Sequence, residues 1–218
     1  MAYDLEEQEQ IATLKAWWNQ YGNLTSWILI AGLAAYSGWN GWNWYQRDQA
    51  SSASNLYYEQ QDALQAKDAK KIERATADIE SKFAGTAYAP MAALAAAKYA
   101  FDANDLKTAK TQLQWVIDHG NDEYKALARV RLAGVLLDEK AYDEALKVLA
   151  AEVPAQFAAA VADRKGDILA AQNKLAEART AYTAALAATD KKNPGRALIQ
   201  IKLESVGGSA PAEPKAAA

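Results

Sequence analysis

A repeat of about 34 residues constrains the fold of this chain more than any other feature of its sequence. Four segments each carry a small residue, a second small residue twelve positions later and a bulky apolar residue four positions after that. The small residues are Ala63 and Ala75, Ala97 and Ala109, Ala133 and Ala145, and Gly166 and Ala178. Small residues let paired helices approach closely, and 34 residues is the length of a tetratricopeptide helix pair. We therefore predict that these eight residues pack a tetratricopeptide-like solenoid of three to four repeats.

The residue types between Ser51 and Val206 favour an all-α fold. Ala, Leu, Lys, Glu and Gln dominate there, and alternation of β-branched residues is almost absent. Turn phrases that lead into a second helix begin at Asn104, Lys140 and Asn173. The first copy is the least regular, and its helix from Asn55 also fits a spacer. We predict that residues 46–206 form the tetratricopeptide-like domain.

The C-terminal end of the repeats is expected to be closed by one more helix. Pro194 is a favoured first-turn residue, and the pattern predicts a helix over 196–206 that covers the last repeat with Leu198, Ile201 and Leu203. Residues 207–218 contain two prolines and no apolar residue larger than alanine. We predict that this tail is disordered.

Residues 16–46 carry no charged side chain and contain six of the seven tryptophans. A helix over residues 24–45 is long enough to match the ~30 Å hydrocarbon core of a bilayer. Aromatic rings flank its apolar centre, as expected for rings at the headgroup level: Trp17, Trp18 and Tyr21 on one side, and Trp39, Trp42, Trp44 and Tyr45 on the other. We therefore predict one transmembrane helix over 24–45, in contact with the lipid bilayer.

Two other interpretations of residues 24–45 remain open. A buried core helix could also be apolar on every side, and a cleaved signal peptide would have an apolar region as well. The signal peptide fits less well, because the first residues are acidic and not basic. Lys15 and Arg47 balance each other across the segment and do not decide its orientation. We predict that residues 1–23 are an acidic cytoplasmic tail.

The charge balance and the residue types exclude several classes of function. The formal net charge is −3, and the acidic tail accounts for it, so no basic field for nucleic acid exists. The chain has no cysteine, which excludes disulfides, thiolate catalysis and cysteine-based zinc sites. The one histidine, His119, precedes Gly120 at a predicted helix end and fits a helix cap better than a catalytic base. We predict a non-enzyme without catalytic, cofactor-binding or metal-binding residues.

Several segments together resemble the ancillary SecYEG translocon subunit family, also called YfgM-like proteins. They are the N-terminal run 7–41 and the repeat segments 127–133, 159–166 and 176–182. The resemblance implies a single-pass protein of the bacterial inner membrane with a cytoplasmic N-terminus and a periplasmic helical domain. It also implies association with the SecYEG channel and with a periplasmic chaperone of the PpiD type.

The repeat register predicts which side chains face a partner. The first helices of the pairs would present a mostly apolar wall, suited to an extended or helical apolar segment, made of Tyr57, Met91, Leu94, Lys98, Phe101, Leu127, Val130 and Leu137. The alternative is that several of these residues belong to the core. Only Lys67 and Lys98 reach this wall as cations, so we expect no basic clamp for a peptide carboxylate.

Two functions are consistent with these expectations. The first is a membrane-tethered protein-interaction module, ancillary to the SecYEG translocon, that links it to periplasmic chaperones during protein export. The second is a structural scaffold of another envelope complex, without contact to a client chain.

Overall fold

The computed structural model describes residues 2–209, and that range contains helices and no strand. The helices are α1 (Ala2–Gln65), α2 (Ala69–Lys82), α3 (Tyr88–Asp102), α4 (Leu106–His119), α5 (Asp122–Asp138), α6 (Tyr142–Val148), α7 (Ala158–Ala171), α8 (Leu175–Ala188) and α9 (Arg196–Ser205). A single 3-10 turn, Ala155–Phe157, precedes α7. The all-α prediction is confirmed over the described residues. Most of the tail that was predicted to be disordered, from position 210 onward, lies outside them.

The chain divides into two compact units, Met1–Ser52 and Ala53–Ala218. We call residues 2–52 the N-terminal unit and residues 53–209 the helix-pair unit. The N-terminal unit is one continuous helix, the first part of α1. Its large apolar side chains are exposed from Ile11 to Tyr45, and Trp39 and Trp44 keep 67% and 69% of their surface accessible.

The prediction of a transmembrane helix over 24–45 is wrong. Among residues 2–209, no helix combines the length and the apolar character that crossing a membrane requires. Residues 24–45 have no charged side chain and have aromatic rings at both ends, which led to the prediction. The same segment also carries Thr25, Ser26, Ser37, Asn40 and Asn43. These polar side chains, with the indole N–H groups and the tyrosine hydroxyls, make the helix less apolar than its lack of charge suggests.

Four turns of the same geometry connect the two helices of each pair in the helix-pair unit. Each contains one residue with a left-handed backbone: Lys67, Asn104, Lys140 and Asn173, with φ between 55° and 60°. The next residue donates its backbone N–H to the carbonyl five positions earlier, as in Asp68 N to Ala63 O at 2.9 Å and Asp105 N to Ala100 O at 2.8 Å. This pattern ends a helix by satisfying its last carbonyls. The repeated turn defines four helix pairs, the first made of the end of α1 and α2.

Short polar side chains cap the starts of α2, α4 and α5. Asp68 accepts a hydrogen bond from Lys71 N at 3.2 Å, and Asp105 accepts one from Thr108 N at 3.0 Å. Asn121 does the same for Tyr124 N at 2.9 Å at the start of α5. A short polar side chain at this position satisfies an N–H group that the helix itself leaves unpaired. The chain therefore specifies its helix boundaries locally, before any packing between pairs.

The eight small residues singled out by the repeat all lie in buried positions. Ala109, Ala133, Ala145 and Ala178 have no exposed surface, and Ala63, Ala75 and Ala97 are each 3% exposed. Gly166 lies directly under the ring of Tyr182, and a Cβ atom at this glycine would overlap the ring. Three of the small residues, Ala97, Ala133 and Ala145, belong to the main core. The large side chains buried with them lie on α4, α5 and α7: Leu113, Val116, Leu132, Leu136 and Ile168.

The last helix, α9, covers the fourth pair with a different face from the one predicted. Leu203 is buried as expected, but its partners are Ile199 and Val206, while Leu198 and Ile201 are 57% and 62% exposed. Positions 199, 203 and 206 are four and three residues apart and share one helix face, which 198 and 201 do not. The expectation for Leu198 and Ile201 is therefore corrected.

An ion-pair network joins α9 to α7. The Lys202 ammonium contacts the carboxylates of Asp163 at 2.8 Å and Asp167 at 2.9 Å. Tyr182 donates its hydroxyl to Asp167 at 3.0 Å, and burial together with the Asp167 charge raises the pKa of Tyr182. Because these side chains are only partly exposed, the network holds the closing helix in one position.

Candidate functional site

The first helices of the second, third and fourth pairs, α3, α5 and α7, lie next to one another. A cavity of about 370 Å³ opens between them. Its lining residues are Ala97, Lys98, Phe101, Leu113, Arg131, Gly134, Val135, Asp138 and Arg164. We call this cavity the arginine pocket. Its volume is at the lower end of the range of about 300 to 1,000 Å³ that is typical of ligand sites.

The predicted partner wall is only partly available to a partner. Lys98 is exposed, Phe101 is 40% exposed, and both line the arginine pocket. Leu94 is 6% exposed and belongs to the main core. The remaining five are partly buried: Tyr57, Met91, Leu127, Val130 and Leu137. Of these, Leu127, Val130 and Leu137 pack against the main core, which is the alternative that the sequence left open.

Arg164 on α7 is the best defined cation of the pocket. Its Nη1 atom lies 3.4 Å from the Asp167 carboxylate, a long contact. Its Nε atom is buried and has no hydrogen-bond partner among the described residues. A buried guanidinium N–H group without an acceptor is costly. The rest of the side chain is accessible, with 34% of its surface exposed at the edge of the pocket.

Gly134 on α5 makes room for this guanidinium. A Cβ atom at Gly134 would lie 3.4 Å from Arg164 Cζ, an ordinary contact distance. The packing of the fold would therefore accept an alanine here. A glycine inside a helix costs roughly 0.5 to 1 kcal/mol relative to alanine. The space beside Gly134 is occupied by the Arg164 guanidinium, which therefore lies against α5 at the edge of the pocket.

Arg131 is the second guanidinium of the pocket. Part of its side chain is solvent-exposed, and the protein around it lowers the pKa of the group through desolvation. Among the side chains of residues 7–209, no carboxylate forms an ion pair with it within 4.0 Å. Lys98, in contrast, contacts Asp102 at 2.6 Å on its own helix. The pocket lining thus carries three cations and one carboxylate, Asp138.

Sequence reasoning missed both arginines and expected no basic clamp. Lys67 lies in the turn between α1 and α2 and does not line the pocket, whereas Arg131 and Arg164 do. A signal was present: each arginine stands nine positions before the left-handed residue that ends its helix, Lys140 or Asn173. Equivalent positions in neighbouring repeats lie next to each other on the same face. The expectation that only Lys67 and Lys98 reach this face as cations is corrected by this geometry.

His119 occupies the position that the sequence predicted for it. Its Nδ1 atom lies 2.9 Å from the carbonyl oxygen of Trp115, and its ring stacks on the Trp115 ring with centroids 4.5 Å apart. These contacts place the imidazole at the C-terminal end of α4, beside a backbone carbonyl, where a cation-capable ring suits the helix dipole.

Comparison with known proteins agrees with this architecture. The tetratricopeptide repeat-like domain family matches residues 15–208. An ancillary SecYEG translocon subunit of Neisseria gonorrhoeae is 34% identical over 208 residues, which cover 94% of this chain and all of the relative. The subunit of the same name from Escherichia coli is 33% identical over 82% of this chain and 86% of the relative. The Haemophilus influenzae protein is 28% identical over 84% and 89%. No solved structure matches the chain.

The family match and the full-length relatives agree on one assignment. The tetratricopeptide-like prediction is confirmed, and so is the expectation that the chain is not an enzyme, because this fold binds proteins and the relatives are named as subunits of a channel. The chain belongs to the tetratricopeptide repeat-like family of ancillary SecYEG translocon subunits.

Proposed function

We propose that this chain associates with the SecYEG translocon and acts there as a protein-interaction module. The observation that carries the proposal is the length of the match to the Neisseria gonorrhoeae relative, which is named an ancillary SecYEG translocon subunit. The match covers the whole relative and 94% of this chain. It therefore includes most of the N-terminal unit as well as the repeats, and does not depend on a shared repeat motif alone.

We further propose that the helix-pair unit works on the periplasmic side of the inner membrane and links the translocon to a chaperone of the PpiD type. The arginine pocket supports a binding role, because it joins exposed apolar surface at Phe101 to three cationic side chains. A pocket with this mixture suits a polypeptide partner better than a purely apolar ligand.

A second candidate is a structural scaffold in an envelope complex without contact to a client chain. The burial of Leu94 and the core packing of Leu127, Val130 and Leu137 favour it. Because these side chains are taken up by the core, the exposed apolar surface is smaller than a general client-binding surface would need.

Copurification tests the proposal. The tagged full-length chain is expressed in cells, membranes are solubilised, and recovery of SecY and of the chaperone is measured. We expect both to be recovered with the unchanged chain, and we expect Phe101→Glu to reduce chaperone recovery. Leu175→Glu is the matched control, because Leu175 is 43% exposed on α8, compared with 40% for Phe101.

Three outcomes separate the candidates. Absence of SecY from the purified chain contradicts the proposed function altogether. Recovery of SecY without any chaperone supports the scaffold. Equal loss of the chaperone with both glutamate variants contradicts a role for the pocket, because only Phe101 lines it.

A further inference from the structure

We propose that the arginine pocket binds a partner polypeptide through one acidic side chain and an adjacent apolar side chain. This inference rests on the proposed function and specifies the chemistry of the partner. It assigns to Arg131 and Arg164 the recognition of the carboxylate, and to Phe101 the contact with the apolar neighbour.

The charge balance of the pocket is the first argument. The lining contains Lys98, Arg131 and Arg164 against the single carboxylate of Asp138. Lys98 is already paired with Asp102 at 2.6 Å, which leaves the two arginines as the main source of positive charge. Two neighbouring cations in a partly enclosed site attract an anion more strongly than the same charges on open surface.

The neighbours of Arg164 explain why its charge is only weakly paired within the fold. Its nearest carboxylate, Asp167, accepts the Tyr182 hydroxyl at 3.0 Å and contacts Lys202 at 2.9 Å. Asp167 is thus engaged by two closer donors than Arg164 Nη1, which lies 3.4 Å away. The Nε–H donor of Arg164 has no acceptor in the described part of the chain. That atom is out of contact with solvent, so a bound carboxylate would meet the accessible part of the guanidinium, since the Arg164 side chain keeps 34% of its surface exposed.

The shape of the pocket is an independent argument. The pocket opens beside Gly134, and a Cβ atom at this position would contact the Arg164 guanidinium at 3.4 Å, so the glycine lets that guanidinium lie against α5. Ala97, Leu113 and Val135 are buried and form apolar walls beside this opening. Phe101 adds an exposed ring at the edge. The charged part and the apolar part of a ligand would therefore enter side by side.

The same observations favour a carboxylate over a phosphate. Asp138 adds a negative charge to the lining, and the walls are mainly apolar. A phosphate group carries about two negative charges at neutral pH and loses more hydration energy than a carboxylate when it enters a site with apolar walls. A single carboxylate on a partly apolar segment matches both features of the lining.

Two matched peptide amides test the proposal on the full-length chain. The first probe is acetyl-Phe-Glu-Leu-amide and the second is acetyl-Phe-Gln-Leu-amide. Binding is followed by NMR through the side-chain N–H signals of Arg131 and Arg164 during titration up to roughly 10 mM peptide, which covers weak contacts of single subsites. We expect saturable shifts with the glutamate probe and binding at least about tenfold weaker with the glutamine probe, as for loss of a charge-assisted pair.

Variants make the result specific to the pocket. Arg131→Gln and Arg164→Gln should each weaken the glutamate probe about tenfold, which is the scale of one charged hydrogen bond. Arg179→Gln is the matched control, because Arg179 is exposed on α8 outside the pocket. Gly134→Leu should block the pocket without changing any charge and should also abolish binding, with the melting temperature as the folding control.

The outcomes distinguish this inference from the proposed function. Equal affinity for the two peptides, or no saturable shift with the glutamate probe, overturns the inference. Equal weakening by Arg131→Gln and Arg179→Gln overturns it as well. If SecY copurifies with the chain while the glutamate probe does not bind, only this inference fails. If SecY does not copurify, the proposed function fails regardless of the peptide result.

Discussion

The two units of this chain use apolar side chains in opposite ways. In the N-terminal unit, Trp27, Leu33 and Trp39 keep 64%, 66% and 67% of their surface exposed. In the helix-pair unit, Ile79, Val116 and Leu136 keep 1% or less. Both units are helical, so the difference does not come from secondary structure. It comes from small residues at matched positions, which bring a second helix close enough to cover the apolar face of the first.

The same contrast between the two units applies to their glycines, because only some of them are needed for close packing. Gly166 and Gly32 both lie inside helices, but only Gly166 meets another side chain, the ring of Tyr182. Nothing lies within 4 Å of a Cβ atom placed at Gly32. The number of glycines therefore does not predict close packing between helices. The position of a glycine within the repeat does.

The largest expected effect follows from this contrast. Gly166→Leu should lower the free energy of unfolding of the helix-pair unit by about 3 kcal/mol or more, because the new side chain would displace Tyr182. Gly32→Leu should leave that free energy unchanged. Chemical denaturation of the two full-length variants, followed by circular dichroism, provides the measurement. Equal destabilisation by the two substitutions would contradict the contrast between the units.

A pH effect of intermediate size is expected at Glu80 on α2. Desolvation raises the pKa of Glu80 to about 7, with an opposing, smaller influence of His119, and its Oε1 atom is buried without a hydrogen-bond partner among the described residues. The folded state therefore keeps a proton between pH 4.5 and 7 that the unfolded state has released. The stability of the parent chain should fall as pH rises through this window and then level off above it.

Glu80→Gln removes the titrating group and should remove this pH dependence. Above pH 7 the variant should be more stable than the parent by about 1 kcal/mol, after allowance for solvent screening of a partly exposed carboxyl. Glu73→Gln is the control, because Glu73 is exposed on the same helix. Melting temperatures at pH values on both sides of the window are the measurement. A variant that keeps the slope of the parent would show that another group causes it.

The smallest expected effect concerns the repeated turn. Lys140 has φ 60°, a left-handed backbone that costs a side-chain-bearing residue roughly 1 kcal/mol relative to glycine. Lys140→Gly should therefore stabilise the helix-pair unit by about 0.5 to 1 kcal/mol. The control is Lys147→Gly, within α6, which should destabilise by a similar amount because its backbone is helical. Thermal unfolding of both variants measures the difference, and a loss of stability in Lys140→Gly would contradict the turn assignment.

The sequence predicted the helix pairs well because independent signals coincide there. Asn104, Lys140 and Asn173 start the turn phrases, and all three adopt the left-handed backbone that ends a helix. The prediction for residues 24–45 rested on the absence of charge together with aromatic flanks, and it did not weigh the polar side chains within the same segment.

The candidate site was predictable only in part. Lys98 and Phe101 follow from the repeat register, and both line the pocket. Arg131 and Arg164 were missed because the register placed only Lys67 and Lys98 as cations on this face, although a repeat also aligns charges at equivalent positions. The burial of the Arg164 Nε atom without a partner depends on the packing around α7, which only the folded structure displays.

The most direct test of the central claim is photocrosslinking in living cells from the pocket of the full-length chain. A photoreactive residue replaces Phe101 in one strain and Leu175 in another, since both positions have similar exposure and only Phe101 lines the arginine pocket. We predict crosslinks from position 101 to a subunit of the SecYEG translocon or to the proposed PpiD-type chaperone, with far fewer from position 175. Equal crosslinking from both positions, or none to these proteins from position 101, would contradict a translocon subunit that binds its partners through this pocket.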